Sequence, residues 1–425
     1  MGDREETSRG LVAVTGTGLA VPPGMSVDHS WTQWMRGKSA IALSRRFDSH
    51  SGVEMPAAEV PSFELGASLR VPKNEKFMSV GVRLAVRAAQ SAVASAQLDV
   101  KAFDPYRVAI FIGSGQTGLA SGEFFDALEA GGGHDEASDF ASLGGRASRA
   151  LDPYFPLRTL SNAGVGLLSI ELQARGPSDN FVQDDTASAM AVRAGVRELL
   201  DGRCDVAIVG GYDSLLTASQ YLTYKRAGLL SAMDADRAYR PFDRDRDGLV
   251  LGEGAGFLVL ERDEDARRRG ASPIGHILGV GSAMELDDVA SAKASASAMH
   301  GAIERATDGR HVDAVVAHGI GMPDGDRREA ALLQAILGVD TPVTALKSLT
   351  GYLGAATAAV ELILALRAAR ERTLPAIVHL ERIDEDCRLN LVREQPRALG
   401  PDMPTVLCLS WSWFGACAAV AVRGC

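Results

Sequence analysis

Two helical stretches rich in small residues constrain the fold of this chain more than any other sequence feature. Residues 186–200 and 351–370 are rich in alanine and other small side chains and carry few charges. A helix without a broad polar face is buried rather than exposed to solvent on one side. We therefore expect both helices to lie between two sheets.

Strand and helix patterns alternate along the chain, and their order repeats in two halves. The strand segments are apolar throughout rather than alternating with polar residues, so both faces of each sheet should be covered. This pattern predicts an α/β fold with mostly parallel sheets, arranged as a duplicated αβαβα unit of five layers. We expect a disordered tail at 1–9, an N-terminal half at 10–265 and a C-terminal half at 266–425.

Charge and cysteine content narrow the classes of function. The formal net charge of −10 argues against nucleic acids and anionic membranes as partners. No apolar run reaches membrane-spanning length, and the polar N-terminus lacks a signal-peptide core. The five cysteines show no metal-ligand spacing. Cys204, Cys408 and Cys417 lie in apolar surroundings and are predicted to be inert buried thiols in a reducing cytoplasm.

Three short patterns imitate binding motifs without their context. Residues 113–118 match a dinucleotide fingerprint, but the first strand-turn-helix unit is expected at the chain start. Residues 243–248 resemble a calcium loop whose twelfth-position glutamate is missing, which favours a solvated or salt-bridged loop. Residues 16–18 are predicted to form a turn after a strand. We therefore expect no cofactor and no metal.

Asp185 stands where a predicted strand, 181–184, meets the start of the helix at 186–200. Several acyl-transfer enzymes place a nucleophilic cysteine at such a junction, because the helix N-terminus stabilises a thiolate. Aspartate is a poor acyl acceptor. The favoured interpretation is that Asp185 caps the helix. Direct chemistry by Asp185, or a one-residue shift that places Thr186 at this position, are the alternatives.

The C-terminal half carries a second group of candidate residues. His318 ends a predicted strand, with Asp326 and Glu329 close behind it. Lys347 ends another strand, followed by Tyr352 at the start of the Ala-rich helix. Glu361 lies in an apolar stretch of that helix, and a buried carboxylate needs a partner, for which Lys347 is the obvious candidate. His318 is either a satisfied buried residue or a remaining catalytic group.

Taken together, these motifs resemble the β-ketoacyl-acyl-carrier-protein synthases, condensing enzymes with a duplicated thiolase-like fold. The most specific segments are Arg240–Gly248 (RPFDRDRDG) and Leu251–Gly256 (LGEGAG), and the resemblance covers nearly the whole chain. The family uses one cysteine and two histidines. The resemblance places Asp185 at the cysteine position, His318 at the first histidine and Tyr352 at the second. It implies supporting roles for Lys347, Glu361, Asp326 and Glu329, and a gating role for Phe414 in the turn 413–416.

With aspartate at the cysteine position and tyrosine at the second histidine position, the chain resembles the chain-length factor. This is the inactive partner of an active ketosynthase in type II polyketide or polyene systems. Asp185 departs from the glutamine often found there. The resemblance implies a heterodimer that works with acyl carrier protein and pairs through the strand at 181–184. It also implies that the segment 117–160 meets the partner and shapes an acyl tunnel. The alternative is that the large apolar residues of this segment are ordinary core: Phe124, Phe125, Tyr154, Phe155 and Leu157. A decarboxylating initiator and a working synthase with unusual residues are the alternative functions.

Overall fold

Strands and helices alternate along the chain in the computed structural model, which describes residues 10–46, 54–115, 126–127, 129–131, 140–288, 293–294, 296–400 and 402–425. The predicted tail and the tunnel residues Phe124 and Phe125 lie outside these residues. The strands are β1 (Val12–Ala20), β2 (Ile41–Ser44), β3 (Met55–Ala58), β4 (Val108–Ser114), β5 (Ser178–Phe181), β6 (Val206–Ser214), β7 (Glu253–Arg262), β8 (Gly275–Met284), β9 (Leu286–Asp288), β10 (Lys293–Ala294), β11 (Ala314–Val316), β12 (Pro342–Thr344), β13 (Thr373–Leu374), β14 (Asn390–Leu391), β15 (Arg397–Ala398), β16 (Thr405–Trp411) and β17 (Ala416–Gly424).

The helices alternate with these strands, and no described helix is long and apolar enough to cross a bilayer. They are α1 (Val27–Met35), α2 (Val80–Ser95), α3 (Phe140–Ala150), α4 (Phe155–Thr159), α5 (Ala163–Leu172), α6 (Ala187–Leu200), α7 (Ala218–Arg226), α8 (Asp263–Arg268), α9 (Ala296–Thr307), α10 (Pro323–Leu337), α11 (Lys347–Thr350) and α12 (Thr357–Glu371).

An eleven-stranded sheet runs through the molecule in the order β14-β12-β11-β16-β17-β8-β1-β7-β6-β4-β5. Each half of the chain contributes one side of this order. The two sides join where Val12–Val14 of β1 pairs with Gly275–Ile277 of β8. The repeated strand and helix order of the sequence is therefore a real duplication of structure.

The prediction of mostly parallel sheets is wrong. Pairings among β4, β5 and β6 and among β11, β12, β14 and β16 are parallel, but those made by β1, β7, β8 and β17 are antiparallel. The misjudged strands are buried on both faces, as β7 and β17 show. A strand covered on both faces reads as a continuous apolar run whichever way it points, so the pattern cannot reveal its direction.

The predicted five layers are confirmed. Helix α2 packs on the outer face of β1, β7 and β6, and α9 packs on the outer face of β8 and β17. Helix α6 contacts β4 and β6 on one side and β8 and β17 on the other, while α12 contacts β7 as well as β16 and β17. The two Ala-rich helices, α6 and α12, therefore occupy the central layer between the two sides of the sheet.

Two local predictions are corrected. Gly16 and Gly18 lie inside β1 and not in a turn. A Cβ on either glycine would come within 2.2 Å of a carbonyl oxygen of α2, so these glycines permit close packing of strand and helix. Strand β5 ends at Phe181, whereas the predicted strand ran to Asp184. Asp184 adopts a left-handed conformation, with φ of 46°, and opens a 3₁₀ turn instead.

Candidate functional site

Asp185 and Tyr352, predicted to occupy reacting positions, meet in the protein interior. Asp185 lies in the 3₁₀ turn Asp184–Thr186 before α6, and Tyr352 lies between α11 and α12. The Tyr352 hydroxyl donates to Oδ2 of Asp185 at 2.7 Å and accepts from Nε1 of Trp413 at 3.0 Å. Asp185 and Tyr352 are almost completely buried. A hydrogen-bonded chain of three side chains therefore occupies this position.

The interpretation of Asp185 as a helix cap is wrong. Helix α6 begins at Ala187, and no side chain caps its N-terminus. The 3₁₀ turn directs the Asp185 carboxyl to Tyr352 instead, and Oδ1 of Asp185 has no hydrogen-bond partner among the described residues. The aspartate is thus a buried carboxyl group within the site and not a helix-stabilising device.

Burial sets the protonation of this pair. Desolvation raises the pKa of Asp185 to about 7, although the charge of Lys347 and the hydrogen bond from Tyr352 oppose it. Desolvation, together with the charge of Asp185, raises the pKa of Tyr352 well above its ordinary value. Near neutral pH the Tyr352 phenol keeps its proton, and the Asp185 carboxyl group is partly protonated and partly ionised. Neither group is a good nucleophile.

His318 and the Lys347–Glu361 pair form a second part of the site. The Lys347 ammonium lies 2.8 Å from Oε1 of Glu361, which confirms the predicted pairing. It also donates to the carbonyl oxygen of His318 and lies 3.3 Å from Nδ1 of its ring. Burial and the charge of Lys347 hold the pKa of His318 well below its ordinary value. The imidazole is therefore neutral at neutral pH, with Lys347 facing Nδ1.

Asp326 and Glu329 act on the backbone around His318. Both lie on α10, and Glu329 accepts from the amides of His318 at 2.7 Å and Gly319 at 2.8 Å. Asp326 accepts from Gly321 at 3.1 Å and from Phe242 at 2.8 Å. These buried bonds fix the loop that follows β11, and the supporting residues therefore position His318.

The structure places Trp413, and not Phe414, at the site. Phe414 is 63% exposed, whereas the Trp413 indole reaches inward to Tyr352. The neighbouring Ser412 hydroxyl donates to Asp184 at 3.4 Å, which ties this turn to the one that carries Asp185. The gating role of Phe414 stays a prediction, whereas Trp413 is the residue of this turn that contacts Tyr352. Because Trp413 and Phe414 are adjacent aromatic residues, the sequence alone does not show which of them points into the site.

Asp213 is a residue of this region that sequence reasoning missed. It lies near the end of β6 and accepts from the amides of Ser214 at 2.9 Å and Ala355 at 3.1 Å. Burial raises the pKa of its carboxyl group to about 7. Asp213 thus ties the end of β6 to the turn that follows Tyr352. A carboxylate in an otherwise apolar strand was the available signal.

The calcium-like segment is a salt-bridged loop, as predicted. The Asp243 carboxylate lies 3.2 Å from Arg240, and Asp245 pairs with Arg382. Asp247 accepts from the hydroxyl of Ser231 at 2.6 Å. Among the described residues no group of three potential metal ligands comes together. The loop is instead connected to α10 and to the segment around Asp384, because Arg246 forms ion pairs with both Asp326 and Asp384.

The buried carboxyl group of Asp185 should make stability depend on pH. Its folded pKa is raised, so its stabilising contribution is complete below the ordinary value of 3.8 and is lost as pH rises through about 7. Asp185→Asn keeps an acceptor for Tyr352 and cannot ionise. Relative to wild type, this variant should gain stability as the pH rises from 5 to 8, by at most about 1.4 kcal/mol for each tenfold fall in proton concentration. Urea unfolding at both pH values measures this, and a constant difference would contradict the assigned protonation.

Comparison with known proteins agrees with this architecture. The model of the β-ketoacyl synthase N-terminal domain matches residues 10–266, and that of the C-terminal domain matches residues 274–381. The 3-oxoacyl-[acyl-carrier-protein] synthase 2 of Synechocystis is 30% identical, over 92% of this chain and 93% of its own length. The protein of the same name from Coxiella burnetii is 29% identical, over 95% of this chain and 96% of its own.

Solved structures match over almost the entire chain. The ishigamide ketosynthase/chain length factor superposes with a TM-score of 0.86 at 26% identity, covering 98% of this chain and 100% of that one. A β-ketoacyl synthase from Burkholderia phymatum superposes with a TM-score of 0.85 at 24% identity and the same coverage, a likeness of fold alone. With its thiolase-like fold and both domain models matched, the chain belongs to the β-ketoacyl synthase family.

Proposed function

We propose that this chain is a noncatalytic, chain-length-factor-like subunit of a type II ketosynthase heterodimer in polyketide, polyene or fatty-acid-type biosynthesis. The observation that carries the proposal is the buried hydrogen bond between Asp185 and Tyr352, the residues that the resemblance puts at the nucleophile and second-histidine positions. Neither residue supplies a thiolate or a second imidazole. A ketosynthase needs the thiolate to hold the acyl chain and the imidazoles to promote decarboxylation and stabilise the enolate.

The retained scaffold supports a structural role. Contacts that hold the loop of His318 are present, from Lys347, Glu361, Asp326 and Glu329. In our proposal, Asp185 and Tyr352 replace two of the three reacting groups. A fold kept intact around a silent centre suits a subunit whose partner performs the chemistry. The ishigamide protein is itself described as a ketosynthase/chain length factor. Against this stands the name of the curated relatives, which is that of a synthase.

The surface supports a heterodimer. Strand β5 is the last strand of the large sheet and, among the described residues, pairs only with β4. An unpaired sheet edge favours association with another strand. Tyr154 is 39% exposed and Leu157 is 46% exposed, so neither is ordinary core of this chain. We infer an active ketosynthase as the partner on this side, acyl carrier protein as the substrate donor, and the cytoplasm as the location.

Coexpression with a ketosynthase that has its cysteine tests the proposal. We expect a one-to-one complex by light scattering, because the partner would cover the exposed β5 edge. After incubation with an acyl carrier protein charged with an acyl chain, the acyl group should appear on the partner. Mass spectrometry should find none on the peptide that contains Asp185.

Two results would overturn this assignment. One is an acyl group on the Asp185 peptide. The other is condensation by this chain purified without any ketosynthase partner. A partner whose cysteine is replaced by alanine is the matched control, since its complex should assemble normally and condense nothing.

A decarboxylating initiator is the second candidate, favoured by one observation. An ionised Asp185 repels a malonyl carboxylate, but burial keeps this group partly protonated near pH 7. The complex with the cysteine-free partner distinguishes the two roles. Release of carbon dioxide from malonyl carrier protein, lost in Asp185→Ala, would assign decarboxylation to this chain.

A further inference from the structure

A cysteine, a histidine and an aspartate meet outside the candidate site, where α8, β8 and the end of β17 come together. Sγ of Cys425 lies 3.3 Å from Nδ1 of His276. Nε2 of the same ring lies 2.7 Å from Oδ1 of Asp263. The Cys425 amide also donates to the carbonyl oxygen of Ile274 at 3.1 Å, which holds the thiol beside the ring. The arrangement is that of a nucleophile, a base and a residue that orients the base.

The hydrogen bonds assign the protons of this cluster. Burial tends to raise the pKa of Asp263, but bonds from Arg267 and His276 outweigh it and hold that pKa below its ordinary value. An ionised carboxylate can only accept, so Nε2 of His276 carries the ring proton. In the neutral ring, Nδ1 then carries a lone pair directed at the Cys425 thiol. His276 is thus in the tautomer that a general base requires.

Cys425 differs from the other four cysteines. Cys204, Cys387, Cys408 and Cys417 are buried, whereas Cys425 is exposed. Partial burial nevertheless raises the pKa of the Cys425 thiol, against the charge of Arg267. The resting group is therefore a protonated thiol, and its reactivity depends on removal of the proton during attack. His276 is placed to remove it.

Positive charge lies near this thiol, and a cavity lies next to it. The charges of Arg267 and Arg370 favour the Cys425 thiolate, and that of Asp263 opposes it. Cys425 does not line the cavity, of about 440 Å³, but Ile274, which accepts from its amide, and Arg370 do. The cavity wall also includes Arg87, an ion pair between Arg367 and Asp28, and the apolar side chains of Leu19 and Ile363. These features favour an anionic reagent with some apolar surface.

We propose that Cys425 is a modification site that exchanges with small anionic disulfides, with His276 as its base and Asp263 as the residue that orients His276. In the reaction Nδ1 takes the Sγ proton while Sγ attacks one sulfur of the disulfide. The Sγ–S bond forms, the disulfide bond of the reagent breaks, and the departing thiolate takes the proton from His276. The products are a mixed disulfide on Cys425 and one free thiol. This proposal is independent of the role proposed above.

The full chain, alone or in its complex, is treated at pH 7 with oxidised glutathione, which is anionic, or with cystamine, which is cationic. Mass spectrometry of this chain follows the adduct, and each rate is divided by that of a free peptide with the sequence 420–425. We expect one adduct, at Cys425, and a preference for the anionic disulfide of at least ~10-fold, in the range of electrostatic steering. Arg370→Gln, on the surface, should reduce this preference without affecting folding.

Substitutions of His276 and Asp263 test whether these residues act in the exchange reaction or only support the local structure. His276→Gln should slow the reaction at pH 7 by at least ~10-fold. The difference in rate from wild type should narrow as the pH rises above 9, because a growing fraction of the thiol then ionises without the base. Asp263→Asn should show a smaller loss with the same pH dependence, and Asp263→Glu should restore part of it. Cys425→Ser should form no adduct. Reaction of another cysteine first, equal rates for the two disulfides, or a wild-type rate in His276→Gln at pH 7 would each overturn the proposal.

Discussion

The double variant Asp185→Cys/Tyr352→His should condense acyl units ~10²–10⁴ times faster than Asp185→Cys alone, the range typical of a positioned acid–base group. A cysteine just before α6 would gain thiolate stabilisation from the helix N-terminus and accept an acyl chain. Condensation also needs a second imidazole. Tyr352 cannot replace it, because burial raises the pKa of the phenol well above its ordinary value and the group therefore does not exchange its proton near neutral pH.

The assay uses the complex in which the partner's own cysteine is replaced by alanine, so that all turnover comes from this chain. Asp185→Ser/Tyr352→His is the matched control, since it keeps the new imidazole and lacks a thiolate. Equal rates for the single and double cysteine variants would mean that Tyr352 is not the limiting defect. Trp413 would then be the next residue to replace, because its indole donates to the same hydroxyl.

Asp185→Ala in the complex with an intact partner is the complementary measurement. Turnover should persist in this variant if the chain is catalytically silent, with at most a loss of stability from the removed Tyr352 bond. A collapse of turnover while gel filtration still shows the heterodimer would assign chemistry to Asp185, and the noncatalytic role would be wrong.

The layers of the fold were predictable because their causes are local. Small side chains in α6 and α12 mark helices that must fit between two sheets, and the structure places both there. Strand direction was not predictable, because β7 and β17 are buried on both faces whichever way they run. The end of β5 depended on one backbone conformation, the positive φ of Asp184, which a propensity argument does not anticipate.

The site was predictable where a motif fixed the spacing. Lys347 and Glu361 are fourteen residues apart within one motif, and their ion pair followed from the cost of a buried carboxylate. The bond between Asp185 and Tyr352 joins residues 167 positions apart, and no local pattern determines which partner a buried aspartate finds. The same holds for Cys425 and His276, at a separation of 149. Capping was a sound local expectation for Asp185 that a tertiary contact overrode.

Lys347→Met should be the most destabilising substitution in the site. Lys347 and Glu361 are both almost fully buried, and removal of one partner leaves an uncompensated charge. Breaking such a pair costs ~3–5 kcal/mol of unfolding free energy. The carbonyl oxygen of His318 also loses its donor, so the loop after β11 should loosen. Urea unfolding of the purified complex that carries each variant measures the loss.

The double variant Lys347→Met/Glu361→Leu is the matched control and should recover most of this loss, because an apolar pair of similar volume replaces the ion pair without a desolvation cost. The single variant should also respond to pH. Burial raises the pKa of Glu361 to about 7 even beside Lys347, and loss of the ammonium raises it further. A raised carboxyl pKa stabilises the fold at low pH, and that contribution is lost as pH rises through the folded pKa. The loss of unfolding free energy caused by Lys347→Met should therefore be smaller at pH 5.5 than at pH 8. A deficit that stays the same at both pH values, or one that the double variant does not relieve, would mean that Glu361 is not held as a charge by Lys347.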